Sequence, residues 1–305
     1  MADIILHHYG LSPYAEKIRR ILGFKGLAWK SVEIPIVAPK PDLTALTGGY
    51  RKTPVLQIGA DIYCDTDCIA RVLEERQPTP TLYPTRARAA GLMFAAWQQE
   101  LFMLAVLMAG ASGSIFPEGF IEDRATMFDD GFDVGKMLEG LPAKRDHLRA
   151  KLALVEEQLA HGGPFLLGDE ACLGDFALFH PLFALRSLPQ TATLLEPHAA
   201  LSAWMDRIEA FGHGEFTDLS GADAVAIAAA ATPTSPIGED PDDPNERKPG
   251  DRISVVHETF GRDPVEGELV SSSAHHIALR RHDPRAGEVV VHFPREHYVV
   301  AAVGE

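Results

Sequence analysis

The spacing of apolar and polar positions divides the chain into three regions. In the first, the apolar run Ile4 to Leu6 opens a strand over 4–8. After Gly10 and Ser12-Pro13, the positions Tyr14, Ile18, Ile21 and Leu22 recur at helical spacing. They predict a helix over 13–24 that Gly23 and Gly26 close. Residues 28–34 alternate like a strand, and 35–49, with Pro35, Pro39 and Pro41, reads as a long connection. Residues 55–58 and 62–64 flank Gly59-Ala60-Asp61 and predict a hairpin. Ile69, Val72 and Leu73 restore helical spacing over 66–75, with Asp65 or Thr66 as the cap and Pro78 and Pro80 as the stop.

From about Arg86 the strand period disappears. Leu92, Phe94, Trp97, Leu101, Leu104, Leu107 and Met108 predict a long helix over 89–109, followed by helices over 118–132, 142–160 and 199–211. Cys172 and Asp175 have the spacing of a capping box at another helix start, with cysteine in the hydroxyl position. Residues 222–231, almost all alanine and aliphatic, read as helix. Residues 232–250 combine five prolines with five acidic residues, a composition that rarely packs, and read as a linker. Beyond it, short alternating runs at 252–256, 267–271, 276–280, 288–292 and 298–303 predict five strands, the makings of a small SH3-like barrel. The expected layout is therefore an α/β unit over 1–80, an all-helical unit over 86–231, the linker, and a β unit over 251–305. The β unit, with nine acidic residues against six arginines, should be semi-independent and dispensable for ligand binding.

Composition narrows the partners. The formal net charge of −15 argues against nucleic acid and acidic membranes, and the apolar fraction of 46% is ordinary for a globular chain. The N-terminus runs directly into a strand without a basic or apolar leader, so the expected location is the cytoplasm. Cys64, Cys68 and Cys172 cannot all pair and form no C-x-x-C, which disfavours a disulfide frame and a zinc ribbon. Six of thirteen histidines lie in the last region, at no spacing typical of metal ligands, and read as surface residues; no metal is expected. Residues 1–80 carry ten basic and nine acidic groups, so an anionic ligand is least repelled there.

Ser12 is the main candidate for chemistry. It stands at a strand–loop–helix junction, beside unpaired backbone N–H groups and the positive end of a helix. Such a place holds an anion or lowers a thiol pKa. The same Ser-Pro start also serves as a plain helix cap.

The order β-α-β, loop, β-β-α, with Pro54 directly before the third strand, resembles the thioredoxin-like fold, in which that proline is cis. Followed by an all-helical region, it resembles the cytosolic glutathione transferases over about residues 3–215. The omega class carries a Cys-Pro-Phe-Ala-Glu-Arg motif at its active helix; this chain reads Ser12-Pro13-Tyr14-Ala15-Glu16-Lys17 and continues to Lys25-Gly26. Serine thus replaces the omega thiol, as in theta- and zeta-like members, and a Ser-Pro-Tyr start is also similar to bacterial transferases that cleave aryl ethers. Lys40-Pro41-Asp42, Thr53-Pro54-Val55-Leu56 and Asp65-Thr66 fall in register with the family's glutathione contacts, and Cys172–Asp175 resembles its helical-domain folding motif.

The resemblance implies glutathione as co-substrate. Lys40 would pair with the glycyl carboxylate, Thr53 and Pro54 would present the Thr53 backbone to the cysteinyl segment, and Asp65 and Thr66 would hold the γ-glutamyl end. A free thiol titrates near about 8.5. A hydrogen bond to its charged form contributes about 1.5–3 kcal/mol and a helix N-terminus about 0.3–1 kcal/mol. Together these lower the pKa by roughly one to three units. Ser12 would supply the hydrogen bond; Tyr9, where alpha- and mu-like members place a catalytic tyrosine, competes for the role. The second substrate would be a small apolar electrophile lying between Tyr9, Tyr14 and the long helix around Trp97, Phe102 and Met103. The implied protein is a detoxifying homodimer. Ether cleavage, dehalogenation and a non-catalytic ligand-binding module are the alternatives.

Overall fold

The computed structural model describes residues 2–111, 117–128 and 133–303. The first region contains β1 (Ile4–His8), α1 (Pro13–Phe24), β2 (Trp29–Glu33), α2 (Pro41–Thr47), β3 (Val55–Ile58), β4 (Asp61–Cys64) and α3 (Thr66–Arg76). β1 pairs parallel with β2 and antiparallel with β3, and β3 pairs antiparallel with β4. Strand alternation sorts the side chains: Ile4, Leu6 and Leu56 join one core with α1 and α3, and Ile5, Val55 and Ile62 join another on the opposite face. Helix α2 lies inside the stretch expected as an irregular connection. Pro41 fits its first turn, and Gly48, at φ 80°, ends it in the left-handed conformation.

The second region is helical as expected: α4 (Arg88–Ala111), α5 (Phe120–Ala125), α6 (Val134–Leu138), α7 (Leu141–Gly162), α8 (Leu173–Arg186), α9 (Pro189–Ala192) and α10 (Ala199–Ala210). The helix expected over 118–132 is the much shorter α5, and 129–132 lie outside the described residues. Helix α4 is long and apolar enough by composition to cross a membrane, with a mean hydropathy of 1.5. In the fold it buries Leu101, Ala105 and Met108 in the first core, with α8. At the start of α8, Asp175 closes the expected capping box by accepting from the Cys172 backbone N–H at 2.9 Å.

Helix α1 joins the first two regions at close range. A Cβ on Gly23 would stand 2.4 Å from the Gly212 carbonyl oxygen and 2.5 Å from that of Phe211. Backbone on both sides cannot yield as a side-chain tip does. Gly23→Ala is expected to destabilise the protein by about 2 kcal/mol or more, read by denaturant unfolding; unchanged stability would show that α1 does not seat this tightly.

The last region departs from expectation. β5 (Phe216–Asp218) pairs parallel with β2, and α11 (Gly221–Ala230) follows. Then β6 (Arg252–His257), β7 (Val265–Ser272), β8 (His276–Asp283), β9 (Gly287–Pro294) and β10 (Tyr298–Ala302) form an antiparallel set that does not stand apart from the first region. β9 pairs parallel with β4, giving one sheet of ten strands in the order β10-β6-β7-β8-β9-β4-β3-β1-β2-β5. Within the C-terminal set β10 pairs with β6, and the order is β10-β6-β7-β8-β9. The physical reason is the free edge of β4. An unpaired strand edge is a template, and the five C-terminal strands satisfy it while sharing a core with Ile5, Val55, α2 and α11.

The stretch 232–250 is bound rather than loose. Thr234 donates its backbone N–H and its hydroxyl to Asp61 Oδ2, each at 2.8 Å, and Ser235 donates to Oδ1 at 2.6 Å. The backbone N–H of Gly238 reaches the Val270 carbonyl at 3.1 Å. His292, expected at the surface, is buried: it lies 3.2 Å from Asp61, is hydrogen-bonded to His276 at 2.9 Å and stacks on Tyr63. The acid- and proline-rich composition misleads because the short hydroxyl residues inside it find one buried carboxylate.

Candidate functional site

The site lies along one end of the first region's sheet, where β1 runs into α1, β2 leads towards α2, and the turn before β3 faces the start of α3. Ser12 ends the β1–α1 turn. Its backbone N–H binds the Tyr9 carbonyl at 3.1 Å, and its Oγ accepts from the Ala15 N–H at 3.2 Å. Capping uses one lone pair, so the hydroxyl hydrogen stays available to donate. The residue is only 3% exposed.

The rest of the motif is structural. Glu16 is buried and accepts from Arg19 at 2.7 Å, Arg20 at 2.6 Å and His213 at 3.1 Å. Burial alone would raise its carboxyl; these partners outweigh it and hold the pKa down at about 2. Lys17, also buried, donates to the Thr66 hydroxyl at 3.1 Å and to Asp67 at 3.2 Å. It thereby ties α1 to the start of α3.

Lys40 is 5% exposed. Its Nζ reaches the Arg51 carbonyl at 3.4 Å and stands 5.7 Å from the centre of the Tyr9 ring. Burial, then the positive Arg124, push its pKa down to about 8. Arg124 of α5 also donates to the Tyr9 hydroxyl at 3.4 Å and to the Ile36 carbonyl at 3.2 Å. The Thr53–Pro54 bond is cis, as are Ala38–Pro39 and Thr79–Pro80. The Thr53 hydroxyl is buried without a hydrogen-bond partner among the described residues. Asp65, at φ 76°, caps α3 through Oδ1 and the Asp67 N–H at 3.1 Å.

Ser12, Tyr9, Lys40, Thr53, Pro54, Asp65 and Thr66 therefore lie at one end of the sheet, where β1 and β4 end and β3 begins, with Tyr9 touching Ser12 and Lys40, and Lys17 touching Thr66. The aromatic face expected for a second substrate is divided. Tyr14 packs on Phe102 with ring centres 4.7 Å apart and donates to Gln99 at 2.8 Å, whereas Trp97 faces Lys151 of α7. All three cysteines are free and buried, and burial raises each thiol; that of Cys172 goes up to about 12. None is a ready nucleophile.

Sequence reasoning missed Arg51, Lys52 and Arg124, and, although it predicted the five C-terminal strands, it did not place them beside the site. The adjacent basic pair Arg51-Lys52 just before Thr53-Pro54 was the available signal. A cleft of about 780 Å³ opens beside Lys40, lined also by Arg51 and Thr126 and, from the C-terminal region, by Asp263 and Arg285.

The chain matches the model of the glutathione S-transferase N-terminal domain over residues 6–81 and of the C-terminal domain over residues 138–207. Among solved structures, a GST-like protein from Pseudomonas syringae is 42% identical, with a TM-score of 0.80, and the alignment covers 99% of this chain and 100% of that one. The β-etherase LigF from Sphingobium sp. strain SYK-6 is 20% identical at a TM-score of 0.51, covering 68% of this chain and 95% of that one. Poplar glutathione transferase F1 is 15% identical at a TM-score of 0.53, covering 68% and 93%. A search of curated proteins returned no match.

Proposed function

Because the chain belongs to the glutathione S-transferase family, we propose that it binds glutathione and uses Ser12 to hold the thiol as a thiolate for attack on a small apolar electrophile. The observation that carries this reading is the Lys40–Thr53 side of the site. A buried ammonium with one long carbonyl contact and a buried hydroxyl with no partner are costly unless a polar ligand meets them. The glycyl carboxylate suits Lys40, and the cysteinyl backbone suits the segment at Thr53 and Pro54. The γ-glutamyl group suits Asp65, Thr66 and the open N–H groups at the start of α3.

At the other end of the site, the Ser12 hydroxyl donates to the sulfur, and the N-terminus of α1 adds its positive end. The thiolate forms the S–C bond to the electrophilic carbon, and the leaving group departs with the bonding electron pair. The active helix is then omega-like with serine in the thiol position. Tyr9, with its ring beside Lys40 and its hydroxyl near Arg124, borders the electrophile rather than the sulfur. The working enzyme is taken as a cytoplasmic homodimer.

Lys40 provides the test. Its pKa is lowered to about 8, so its charge is present below that pH and lost above it. A carboxylate partner needs the charge. Affinity for S-methylglutathione, which has no thiol to titrate, is therefore expected to fall as pH rises through about 8, and Lys40→Arg should flatten that fall because guanidinium stays charged. Calorimetric titration across this range checks it. An unchanged profile in Lys40→Arg would remove Lys40 from the ligand.

A further inference from the structure

We infer that the C-terminal strands complete the glutathione site, with Tyr298 acting as the positioning residue of Asp65. This rests on the reading just given for Asp65.

Asp65 sits where β4 passes into α3, and β4 is the strand that β9 extends. Its Oδ1 is held by the Asp67 N–H, and its Oδ2 accepts from the Tyr298 hydroxyl at 3.0 Å. A carboxylate offers about four lone-pair directions. Two fixed donors set its plane and leave acceptor capacity for an ammonium. Without the tyrosine, a single backbone N–H would hold a partly buried carboxylate that can turn about its last bond.

Tyr298 itself is 6% exposed and firmly seated. Its ring lies 5.4 Å from that of Phe293 and 5.1 Å from that of His257. The Lys52 ammonium, beside Thr53, stands 5.6 Å from the Tyr298 ring and 5.5 Å from that of Phe260. The loop carrying Phe260 continues beside the site. Gly261 N–H binds the Met127 carbonyl at 2.8 Å, and Asp263 accepts from Arg51 at 2.9 Å. Arg51 in turn donates to Thr126 at 2.7 Å. The loop thus straps the Arg51–Thr53 turn to the segment after α5, on the side where the Thr53 hydroxyl is unpartnered.

The ligand chemistry follows from the group that Tyr298 fixes. A carboxylate aimed by two donors recognises a free α-ammonium, the distinguishing group of the γ-glutamyl end. Tyr298 therefore sets preference for a free amino terminus rather than general affinity.

The test uses the full-length protein, with glutathione and N-acetylated glutathione as probes, titrated calorimetrically into wild type, Tyr298→Phe, Asp65→Asn and the double variant. Phenylalanine keeps the packed ring, and a melting temperature close to wild type verifies the fold. Tyr298→Phe is expected to weaken glutathione about tenfold, as loss of one hydrogen bond to a charged group does. It should leave the N-acetylated ligand unchanged and have no further effect in the Asp65→Asn background. Equal weakening of both ligands, additive losses in the double variant, or wild-type affinity in Tyr298→Phe would overturn the assignment. If wild type binds neither ligand, the glutathione reading itself is wrong and Tyr298 loses its role with it.

Discussion

Asp175→Ala should cost about 4 kcal/mol of stability and lower the melting temperature by about 10 °C, the largest loss expected from any single change in the helical region. The carboxylate is fully buried at the start of α8. Its Oδ2 accepts from the Cys172 N–H at 2.9 Å, and its Oδ1 accepts from the Leu166 N–H at 2.9 Å and the Trp204 indole N–H at 2.8 Å. One side chain therefore ties together the helix cap, the turn before it and α10. Alanine leaves three buried donors without partners, each costing about 1–3 kcal/mol less whatever the site recovers by relaxing or admitting water. Burial outweighs the donors and raises the Asp175 pKa. A neutral isostere should accordingly be milder, so Asp175→Asn is expected to lose clearly less. Denaturant unfolding of both variants checks this, and an alanine variant as stable as wild type would show that the three donors find other partners.

Ser12→Ala is expected to raise the pKa of the bound glutathione thiol by one to two units, the equivalent of about 1.5–3 kcal/mol for a hydrogen bond to a charged group. Below the raised pKa, kcat/KM should fall about tenfold per unit, because only the thiolate attacks. The change also removes the cap from α1, worth about 1 kcal/mol of stability. That second effect separates from the first: lost capping lowers the melting temperature, whereas lost donation moves the thiol titration. Affinity should survive, since Lys40, Thr53 and Asp65 do not depend on the hydroxyl. Ser12→Thr keeps both donor and acceptor and is expected to keep the low pKa.

What the sequence revealed was local. The β1–α1 turn, the capping box at Cys172 and Asp175, and the proline before β3 are each defined by a few adjacent residues, and each took its expected form. The candidate residues read from those motifs lie at one end of the sheet because the strand order brings their turns there. Pairing between distant strands was not legible. Alternation along 288–292 shows which face is apolar, but nothing in it says that the neighbour is β4, more than two hundred residues earlier. The roles of Tyr298 and Phe260 depend on that pairing, so they were hidden with it. Thr234 and Ser235 were obscured for another reason: the surrounding prolines and acids suggested solvation, while Asp61 stood ready to accept from both.

The central assignment is tested most directly by titrating the thiol of glutathione bound to the full-length protein, following the ultraviolet absorbance of the thiolate. Bound thiol titrating at least one unit below about 8.5, and therefore several times more ionised at neutral pH than the free thiol, is expected for wild type and for Tyr9→Phe. In Ser12→Ala the titration should move back up. A bound thiol with its ordinary pKa, or one that Tyr9→Phe moves while Ser12→Ala does not, would contradict the role given to Ser12.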